Sequence, residues 1–476
     1  MTSDAPVIVW LRRDLRIADN PALQAAVARG APVIPLFILD EDTGWPLGGA
    51  ARWWLNGSLT ALAAKLAKLG TTLIMRRGAP DKVLRAIVQE TGAATVLWNR
   101  CYEPAVIARD KAIKSDLQKG GISAESFNGA LLFEPWELKT QAGNPFKVFT
   151  PFWRTAVSAP APRKPLPAPK KIHGYGGKVT SDVLTSWKLP PVKPDWAVGL
   201  RDTWIPGEAA AQDHVDKFHE ETVTEYVKSR DIPGETGTSR LSPYLAFGEI
   251  SPHQVWHQAN HWEPGAGQAG FMRQIIWREF SAHLLYHFPQ MPEAPLRPAF
   301  ADFPWTRDKK ALRAWQQGHT GYPIVDAGMR QLWHTGWMHN RVRMVVASFL
   351  VKHLLLPWRT GEDWFWDTLV DADLANNAAN WQWVAGCGTD AAPYFRVFNP
   401  VLQGEKFDGD GAYVRRWVPE IAGLPDAWLH KPWEAPDMEL KKAGVVLGKT
   451  YPAPIVDHKT ARIRALAAFK KIRTGD

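Results

Sequence analysis

Residues 7–39 read VIVWLRRDLRIADNPALQAAVARGAPVIPLFIL, and this stretch decides the fold of the first part of the chain. It begins and ends with continuous apolar runs, Val7–Leu11 and Val33–Leu39, which predict strands buried on both faces. A helical pattern lies between them, and strands that alternate with helices indicate a parallel sheet covered on both sides. Three shorter apolar runs continue the alternation, at residues 72–75, 95–98 and 122–127. Residues 1–132 therefore predict a Rossmann-like α/β domain with a five-stranded parallel sheet.

The carboxyl ends of such strands are where ligands of parallel sheets bind. Four polar residues are predicted to lie there: Asp14, Asp40, Arg76 and Asn99. No G-x-G-x-x-G motif follows the first strand, which argues against ordinary NAD binding. The arginines of LRRDLR (11–16) either pair with Asp14 and Asp19 or bind a phosphate. We favour the pairing, because such ion pairs are common.

The composition changes after the α/β pattern. Residues 158–171 (SAPAPRKPLPAPKK) hold five prolines and four basic residues, which is typical of an extended linker. Residues 133–207 are therefore predicted to connect two domains. From residue 208 onward the apolar residues recur with a helical period, so that residues 208–476 predict a mostly α-helical domain.

The overall composition excludes several classes of protein. Lys and Arg exceed Asp and Glu by 57 − 48 = 9, and 45% of the 476 residues are hydrophobic, so the chain is not a disordered one. Two cysteines are too few for a disulfide scaffold or an iron–sulfur cluster. Without a leader or an apolar run long enough to span a membrane, we expect a cytoplasmic protein. The 25 tryptophans and the basic charge indicate stacking on nucleic acid or on a flat aromatic ligand.

Four segments of the helical half carry candidate site residues. The turn GETGTSRLSPYLAFGEISP (234–252) offers hydroxyl and backbone N–H groups to a diphosphate, although an ordinary capped helix start also explains it. The segment WMHNRVRM (337–344) suits either a base-binding cavity or a basic solvent-facing surface. The dense Asp and Asn residues of 367–400 are costly to bury without a polar ligand, which favours a binding site. Three histidines recur at helical spacing without a supporting carboxylate, which predicts a solvated helix face and no metal site: His253, His257 and His261.

Several motifs together resemble the DNA photolyase/cryptochrome family, in an order that spans nearly the whole chain. They are LRRDLR (11–16), TSRLSPYLAFG (238–248), WREF (277–280), GYPIVDAGMRQLWHTGWMHNRVRM (321–344), DADLANNAANWQW (371–383) and TDAAPYFRVFNPVLQGEKFD (389–408). The chain is most similar to bacterial cyclobutane pyrimidine dimer photolyases, of class I or the related class III. The resemblance implies an α/β antenna domain (1–132), a linker (133–207) and a helical domain (208–476) that holds FAD.

The resemblance also assigns residues to three parts of the site. The FAD-contacting residues are Tyr226, Thr238, Ser239, Arg240, Leu241, Ser242, Arg343, Asp371, Ala372, Asp373 and Asn377. Within this set Arg343 pairs with Asp371, and Asn377 lies beside flavin N5, where its amide can reorient between redox states. The electron-hopping chain from the flavin to the surface is Trp381, Trp358 and Trp305. The pocket for the flipped dimer is formed by Gln274, Trp277, Arg278, Asn340, Arg341, Met344 and Trp383.

The chain departs from the family pattern at the lesion pocket and at the antenna. Gln274 stands where dimer photolyases usually carry a glutamate, whereas photolyases of (6-4) photoproducts carry a glutamine there. Those (6-4) enzymes, however, have a histidine pair where this chain has His339 and Asn340, so dimer repair stays the first expectation. Class I enzymes place an acidic contact to a folate antenna at the position of Val106, with Glu103 lying three residues earlier here. We expect 5,10-methenyltetrahydrofolate, because the class III pocket need not use that contact, with a deazaflavin or an empty site as alternatives.

The sequence and the resemblance together predict a light-driven lyase. Reduced FAD, excited directly or through the antenna, gives an electron to a flipped pyrimidine dimer in UV-damaged DNA, and the electron returns after the ring has split. The protein is expected to act as a monomer, without a metal or a general acid–base pair. A cryptochrome-like blue-light sensor is the alternative from another class, disfavoured by the expected lack of a long C-terminal tail.

Overall fold

The N-terminal part of the chain is built on one parallel sheet. In the computed structural model, which describes residues 5–390 and 395–473, the strands are β1 (Val7–Leu11), β2 (Val33–Leu39), β3 (Ile74–Arg77), β4 (Thr95–Asn99) and β5 (Ser123–Phe127). Their order is β3-β2-β1-β4-β5, and every neighbouring pair is parallel. The predicted five-stranded α/β fold is confirmed. The third strand begins at Ile74 rather than at residue 72 and continues to Arg77, because it pairs with β2 as far as Leu39.

The sheet forms because its central strands carry apolar residues on both faces. β1, β2 and β4 are buried along their whole length, whereas the edge strands β3 and β5 are partly exposed, as their polar residues require. On one face the buried cluster includes Trp10 and Trp98, whose rings meet edge to face with centroids 5.9 Å apart. Each fully buried large apolar side chain contributes about 1.5–3 kcal/mol. The central strands are therefore a rigid base for the loops at their carboxyl ends.

Helices lie between the strands and form most of the chain after residue 208. The α-helices are α1 (Pro21–Ala28), α2 (Gly49–Lys68), α3 (Pro80–Thr91), α4 (Pro104–Lys119), α5 (Phe149–Ser158), α6 (Val198–Thr203), α7 (Glu208–Lys217), α8 (Tyr226–Ser229), α9 (Ser242–Ala246), α10 (Pro252–Ala259), α11 (Ala266–His287), α12 (Lys309–Gln317), α13 (Pro323–Thr335), α14 (Asn340–Ser348), α15 (Trp358–Thr368), α16 (Leu374–Ala385), α17 (Pro400–Phe407), α18 (Ala412–Trp417), α19 (Asp426–Leu429), α20 (Asp437–Lys442) and α21 (His458–Arg473). Short 3₁₀ turns are Leu184–Trp187, Val223–Glu225, Pro298–Asp302, Pro419–Ile421 and Pro432–Glu434, and π-helical turns are Phe218–Thr222 and Phe349–His353. Within the predicted linker, α5 is helical and residues 160–169 are neither helix nor strand.

By packing, the chain forms two compact units. Unit 1 comprises the described residues up to Glu221 together with Ser239–Pro289 and Val370–Ala375. Unit 2 comprises Thr222–Thr238, Gln290–Leu369 and the described residues from Asn376 onward. The predicted boundaries after residues 132 and 207 follow composition and stay predictions, since packing groups the chain differently. Within the described ranges, no helix has the length and apolar character that crossing a membrane requires.

Candidate functional site

The predicted FAD contacts of unit 2 include Tyr226 and Thr238. Tyr226 is buried at the start of α8, and the guanidinium of Arg230 lies over its ring, 5.2 Å from the centroid. The chain then folds back, because Gly237 packs so closely on Ser229 that an added Cβ would lie 2.3 Å from the Ser229 carbonyl oxygen. This approach requires glycine, and it brings Thr238 next to the helix that carries Tyr226.

The next predicted FAD contacts, residues 239–242, belong to unit 1. Arg240 has a φ of +50°, a left-handed conformation that costs roughly 1–2 kcal/mol for a residue with a side chain. Leu241 is buried, and its carbonyl accepts the amide of Leu245 at 3.0 Å. Ser242 then opens α9 with a proline in its first turn. The backbone is thus an ordinary helix start, preceded by a turn whose conformation the surrounding structure must hold.

The aspartates of the DADLANN motif also lie in unit 1. Asp371 is 8% exposed and Ala372 is 4% exposed, whereas Asp373 is half-buried. A buried carboxylate needs hydrogen-bond donors or cations close to it, so this segment suits a ligand that brings O–H or N–H groups. In unit 2, Arg343 donates its Nε to the Met338 carbonyl at 2.7 Å. The pairing of Arg343 with Asp371 stays a prediction.

In unit 2, α15 and α16 approach each other closely around two predicted site residues. Asn377 is buried on α16, and its Nδ2 donates to the Glu362 carbonyl of α15 at 3.0 Å, which fixes the side-chain amide and gives no support to its predicted reorientation between redox states. Trp381 follows one turn later and is 2% exposed. Its indole lies on Gly361, where an added Cβ would be 2.1 Å from Cη2 and 2.5 Å from Cζ3. Trp381 can therefore occupy this position only because residue 361 of α15 is a glycine.

The side chain of Glu362 is a feature of this site that the sequence analysis missed. It is fully buried, and neither carboxyl oxygen has a hydrogen-bond partner within the described part of the chain. Burial, with a smaller contribution from the charge of Asp363, raises the pKa of Glu362 to about 9. The group is therefore a neutral acid at neutral pH. The sequence indicates this burial only through helical spacing. Glu362 lies four residues after Trp358 and three before Phe365, on the buried face of α15.

Glu362→Gln is expected to make the stability of the protein less dependent on pH. The pKa of Glu362 is about 9 in the folded chain against an ordinary value of 4.5, so between these values the folded state holds a proton that the unfolded state has lost. The free energy of unfolding therefore falls as pH rises through this window, by up to about 1.4 kcal/mol per pH unit from this group, and glutamine removes that slope. Urea unfolding at about pH 6 and about pH 8 measures the slope. The control is Asp367→Asn, an exposed carboxylate on the same helix, and equal slopes in both variants would contradict the expectation.

The three predicted electron-transfer residues lie in unit 2 and differ in exposure. Trp381 and Trp358 are 2% and 4% exposed, while Trp305 is half-buried. Trp381 packs on Gly361, which lies about one turn along α15 from Trp358. Thr306, the residue after Trp305, donates its amide to the Leu355 carbonyl at 2.7 Å, and Leu355 lies in the segment that leads into α15. Trp381 and Trp358 are thus buried and Trp305 is partly exposed, and the role of the three as an electron-transfer chain stays a prediction.

The predicted lesion contacts of unit 1 lie on α11. The ring of Trp277 is stacked on that of Phe149, with 3.5 Å between the centroids and 6° between the planes. Phe280 meets both rings edge-on, at 5.8 Å in each case. These contacts cover one face of the indole and fix its orientation. Gln274 lies one turn earlier on the helix, half-buried, and its Nε2 donates to the Gly270 carbonyl at 3.4 Å.

Other residues predicted to be accessible are engaged within unit 1. Arg278 donates to the Ala130 carbonyl at 2.9 Å and pairs with Glu279 at 3.3 Å, so this geometry gives no support to its predicted DNA contact. The predicted solvated histidine face is wrong at His253, which is 1% exposed. The Nε2 atom of His257 lies 2.9 and 3.0 Å from two backbone carbonyls of the linker. His257 therefore joins the linker to α10.

The remaining predicted lesion contacts lie in unit 2. Asn340 is exposed at the start of α14, and Met344 and Trp383 are half-buried. His339, the residue before the helix, is 2% exposed, and its Nδ1 accepts the amide of Arg341 at 3.2 Å. Burial lowers the pKa of His339 to about 4. This histidine is therefore a neutral helix cap at neutral pH.

Unit 2 also contains an open pocket of about 510 Å³, which we call the basic pocket. It is lined by Lys228, Asp231, Ile232, Arg341, Arg396, Phe398, Gln403, Lys406 and Phe407. Arg341 pairs with Asp231 at 2.8 Å and lies over the ring of Phe407, 4.4 Å from its centroid. The other cations of the pocket were missed by the sequence analysis, because they come from segments far apart in the chain. An excess of cations beside aromatic rings suits a nucleic-acid backbone and its bases.

Comparison with known proteins identifies the family. Residues 7–170 match the family model described as DNA photolyase, and residues 271–471 match the one described as FAD binding domain of DNA photolyase. The chain is 54% identical over 472 residues to the deoxyribodipyrimidine photo-lyase of Agrobacterium fabrum, which covers 98% of both proteins. The chain belongs to the DNA photolyase/cryptochrome family.

Two further relatives show how this photolyase/cryptochrome chain is related within the family. A bacterial class III photolyase from Agrobacterium tumefaciens has the same fold, with a TM-score of 0.96 and 54% identity over 99% of this chain and 98% of that one. Cryptochrome-1 of Arabidopsis thaliana is 42% identical over 480 residues, which cover 98% of this chain and 70% of that protein. The resemblance drawn from the motifs is confirmed, and the FAD-binding domain of the family is present. In the last of those motifs, residues 391–394 lie outside the described residues.

Proposed function

We propose that this protein is a photolyase that uses light and bound FAD to split cyclobutane pyrimidine dimers in DNA. The basic pocket carries the proposal, because its four cations and two phenylalanine rings suit the phosphates and bases of a DNA strand. The exposures of the three predicted electron-transfer residues also support it, since Trp381 and Trp358 are buried and Trp305 is partly exposed, as a path for electrons between a buried flavin and the surface requires. So does the similarity to a deoxyribodipyrimidine photo-lyase along 98% of both proteins.

FAD fits the residues that are predicted to hold it. The buried Asp371 suits an O–H or N–H donor of the cofactor, and the hydroxyl groups of residues 238–242 suit its diphosphate. Bound FAD would supply the light absorption and the electron for dimer splitting. The chain's own contribution is to orient it: the Glu362 carbonyl fixes the Asn377 amide, and the neutral Glu362 side chain adds no negative charge nearby.

The proposed substrate is the cyclobutane dimer rather than the (6-4) photoproduct. His339, which would belong to the histidine pair of a (6-4) enzyme, is buried, neutral and used as a helix cap, so it is a poor proton donor at neutral pH. The test is illumination of the chemically reduced protein with oligonucleotides that carry one defined lesion each. Repair of the dimer alone is the expected result. Repair of the (6-4) photoproduct alone would reassign the substrate, and repair of neither would contradict the proposal.

Gln274→Glu is expected to maintain dimer repair or to raise the affinity for dimer-containing DNA, by up to about tenfold. A carboxylate accepts a stronger hydrogen bond than an amide does, by roughly 1 kcal/mol, and 1.4 kcal/mol corresponds to about tenfold in affinity. The measurement is the Kd for an oligonucleotide with a single dimer. Gln268→Glu is the matched control, since this glutamine lies on the same helix and also donates to a backbone carbonyl, that of Ala259 at 2.9 Å. A sharp loss of repair in the Gln274 variant alone would show that glutamine is adapted to another lesion.

The antenna that we propose is 5,10-methenyltetrahydrofolate, with a deazaflavin or an empty site as alternatives. Glu103 is paired with Arg13 at 3.3 Å, and Val106 carries no charge, so neither offers the acidic contact of a class I pocket. A class III pocket, which need not use that contact, agrees with the relative of known structure. The absorption spectrum and mass of the chromophore released from the purified protein identify it. UV-damaged DNA is the proposed partner, and monomeric state and cytoplasmic location stay predictions.

A blue-light sensor is the second candidate function. The similarity to cryptochrome-1 of Arabidopsis thaliana, which extends over 98% of this chain, favours it. The lesion assay separates the two functions, because a sensor would show light-driven reduction of its flavin and yet leave both lesions unrepaired after chemical reduction. The basic pocket favours the enzyme, since a sensor has no need of a surface that binds DNA.

A further inference from the structure

The arginines of LRRDLR (11–16) are engaged inside unit 1, and none of their guanidinium groups donates to the carboxylates of the predicted partners Asp14 and Asp19. Arg12 donates to the Asp110 carboxylate and to the Asn99 carbonyl at the end of β4. Arg16 is 1% exposed and is satisfied by backbone carbonyls instead of a carboxylate. Its acceptors are Asp19 at 2.7 Å, Gly129 at 2.6 Å and Gly248 at 2.9 Å. These contacts use the guanidinium groups that a phosphate ligand would need, so the motif acts by tying segments of the chain together.

The motif packs backbone to backbone on the segment that follows the FAD-contacting turn. Gly248, with a φ of +65°, approaches so closely that an added Cβ would lie 2.0 Å from the Arg13 carbonyl oxygen. The amide of Leu15 donates to the Phe247 carbonyl at 3.2 Å. These contacts directly follow the short helix α9, which begins at Ser242, the last residue of the FAD-contacting turn 239–242. The end of β1 therefore fixes where that turn lies within unit 1.

Arg13 reaches the second FAD-contacting segment of the same unit. Its Nη1 donates to the Ala372 carbonyl at 3.4 Å, between the two predicted FAD-contacting aspartates, and its Nε pairs with Glu103 at 3.3 Å. Burial disfavours the charged form, but Glu103 and Asp373 outweigh it and raise the pKa of Arg13. The arginine is thus a permanent cation that joins the start of α4 to residues 371–373.

We infer that Arg13 is a positioning residue of the flavin site. It holds residues 371–373 at the carboxyl end of β1, while the neighbouring backbone holds residues 239–242, and the distance between the two segments is set by the sheet. The inference rests on the proposed placement of FAD against these segments. It assigns to the α/β domain a part in flavin binding that does not depend on an antenna chromophore.

The test compares FAD binding by Arg13→Ala, Arg13→Lys and the parent protein, each as the full chain. Titration of the apoprotein with FAD gives Kd, and the vibrational fine structure of the bound-flavin absorption band reports how the ring is held. We expect Arg13→Ala to weaken FAD about tenfold, which corresponds to about 1.4 kcal/mol, and to blur the band. Arg13→Lys keeps a donor for the Ala372 carbonyl and is therefore expected to recover part of the affinity for FAD and part of the fine structure of the band. Arg29→Ala is the control, since it removes an arginine of the same unit that pairs with Glu125 on the surface.

Two outcomes would overturn the inference. The first is that Arg13→Ala leaves both the Kd for FAD and the shape of the flavin absorption band unchanged. This outcome counts whatever the melting temperature of the apoprotein, because a merely structural arginine lowers stability without changing the Kd or the band shape. An equal loss of FAD affinity in Arg29→Ala would show that unit 1 is generally sensitive to such changes. Asp371→Asn separates this inference from the proposed function. If that variant also binds FAD normally, the placement of FAD fails, whereas a loss there with normal binding in Arg13→Ala rejects only the role of Arg13.

Discussion

Trp381→Phe is expected to abolish light-driven reduction of the oxidised flavin, while the chemically reduced variant should still repair dimers at the rate of the parent. The indole of Trp381 is buried one turn from Asn377, and its Nε1 has no hydrogen-bond partner within the described ranges of the chain. The resemblance makes Trp381 a member of the electron-hopping chain, and a phenyl ring is far harder to oxidise than an indole. Absorbance of the flavin under steady blue light with an external reductant measures the first effect. Loss of repair by the chemically reduced variant would instead give Trp381 a role in binding substrate or in folding.

Gly361→Ala provides an independent way to disturb the same tryptophan. Its new methyl group would lie 2.1 Å from Cη2 of Trp381, so the indole must shift, at a cost of about 1–3 kcal/mol for such overpacking. The smaller ring of Trp381→Phe lacks that atom and removes this clash, while the close approach of the methyl group to Leu350 Cδ2, at 2.6 Å, is left in both backgrounds. We therefore expect the two substitutions together to cost less stability than the sum of the separate costs, by about 0.5 kcal/mol or more. Additive costs in urea unfolding would show that the ring and the glycine do not constrain each other.

The sheet could be predicted from the sequence because its signal is local. Continuous apolar runs such as Val7–Leu11 are buried wherever they lie in a parallel sheet, so the pattern alone is sufficient. The third strand was placed too early because its polar end, Arg76 and Arg77, looks like a loop until the partner strand is known. Packing units could not be predicted, since Val370–Ala375 joins unit 1 across a long stretch of chain.

The residues of the candidate site are predicted from sequence motifs. The features of the site that these motifs do not predict depend on tertiary packing. Nothing in the sequence distinguishes Glu362 from an exposed helical glutamate, because its burial is set by the close contact of α15 with α16. For the same reason His253 was assigned to a solvated face, although the linker and α10 bury it. The sequence predicts that Arg13 pairs with nearby aspartates, whereas its acceptor, the Ala372 carbonyl, is distant in sequence. Long-range contacts of polar groups are therefore what remained to be learned from the structure.

Replacement of two cations in the basic pocket is expected to weaken DNA binding without altering the preference for damaged DNA. Arg396 and Lys406 are both exposed, and neither is needed to balance Asp231, which pairs with Arg341. The double variant Arg396→Ala/Lys406→Ala should lower the slope of log Kd against log salt concentration by about 0.9 for each lost phosphate contact, about 1.8 in all. Lys310→Ala, an exposed lysine on α12 of the same unit, is the control and leaves the slope as it is.

Trp277→Ala is expected to have the opposite effect to the pocket variant, because it should weaken the preference for damaged DNA. The two experiments together therefore test the two roles. Stacking on a base is worth about 1–3 kcal/mol, so loss of this ring should reduce affinity for dimer-containing DNA by roughly tenfold or more and leave undamaged DNA unaffected. Phosphate contacts carry no information on the base, so the pocket variant should lose affinity for both DNAs equally. If the pocket variant loses its preference for the dimer while its salt slope is unchanged, the pocket itself contacts the lesion. The assignment of base contacts to Trp277, whose ring is fixed by Phe149, and of phosphate contacts to the pocket cations would then be wrong.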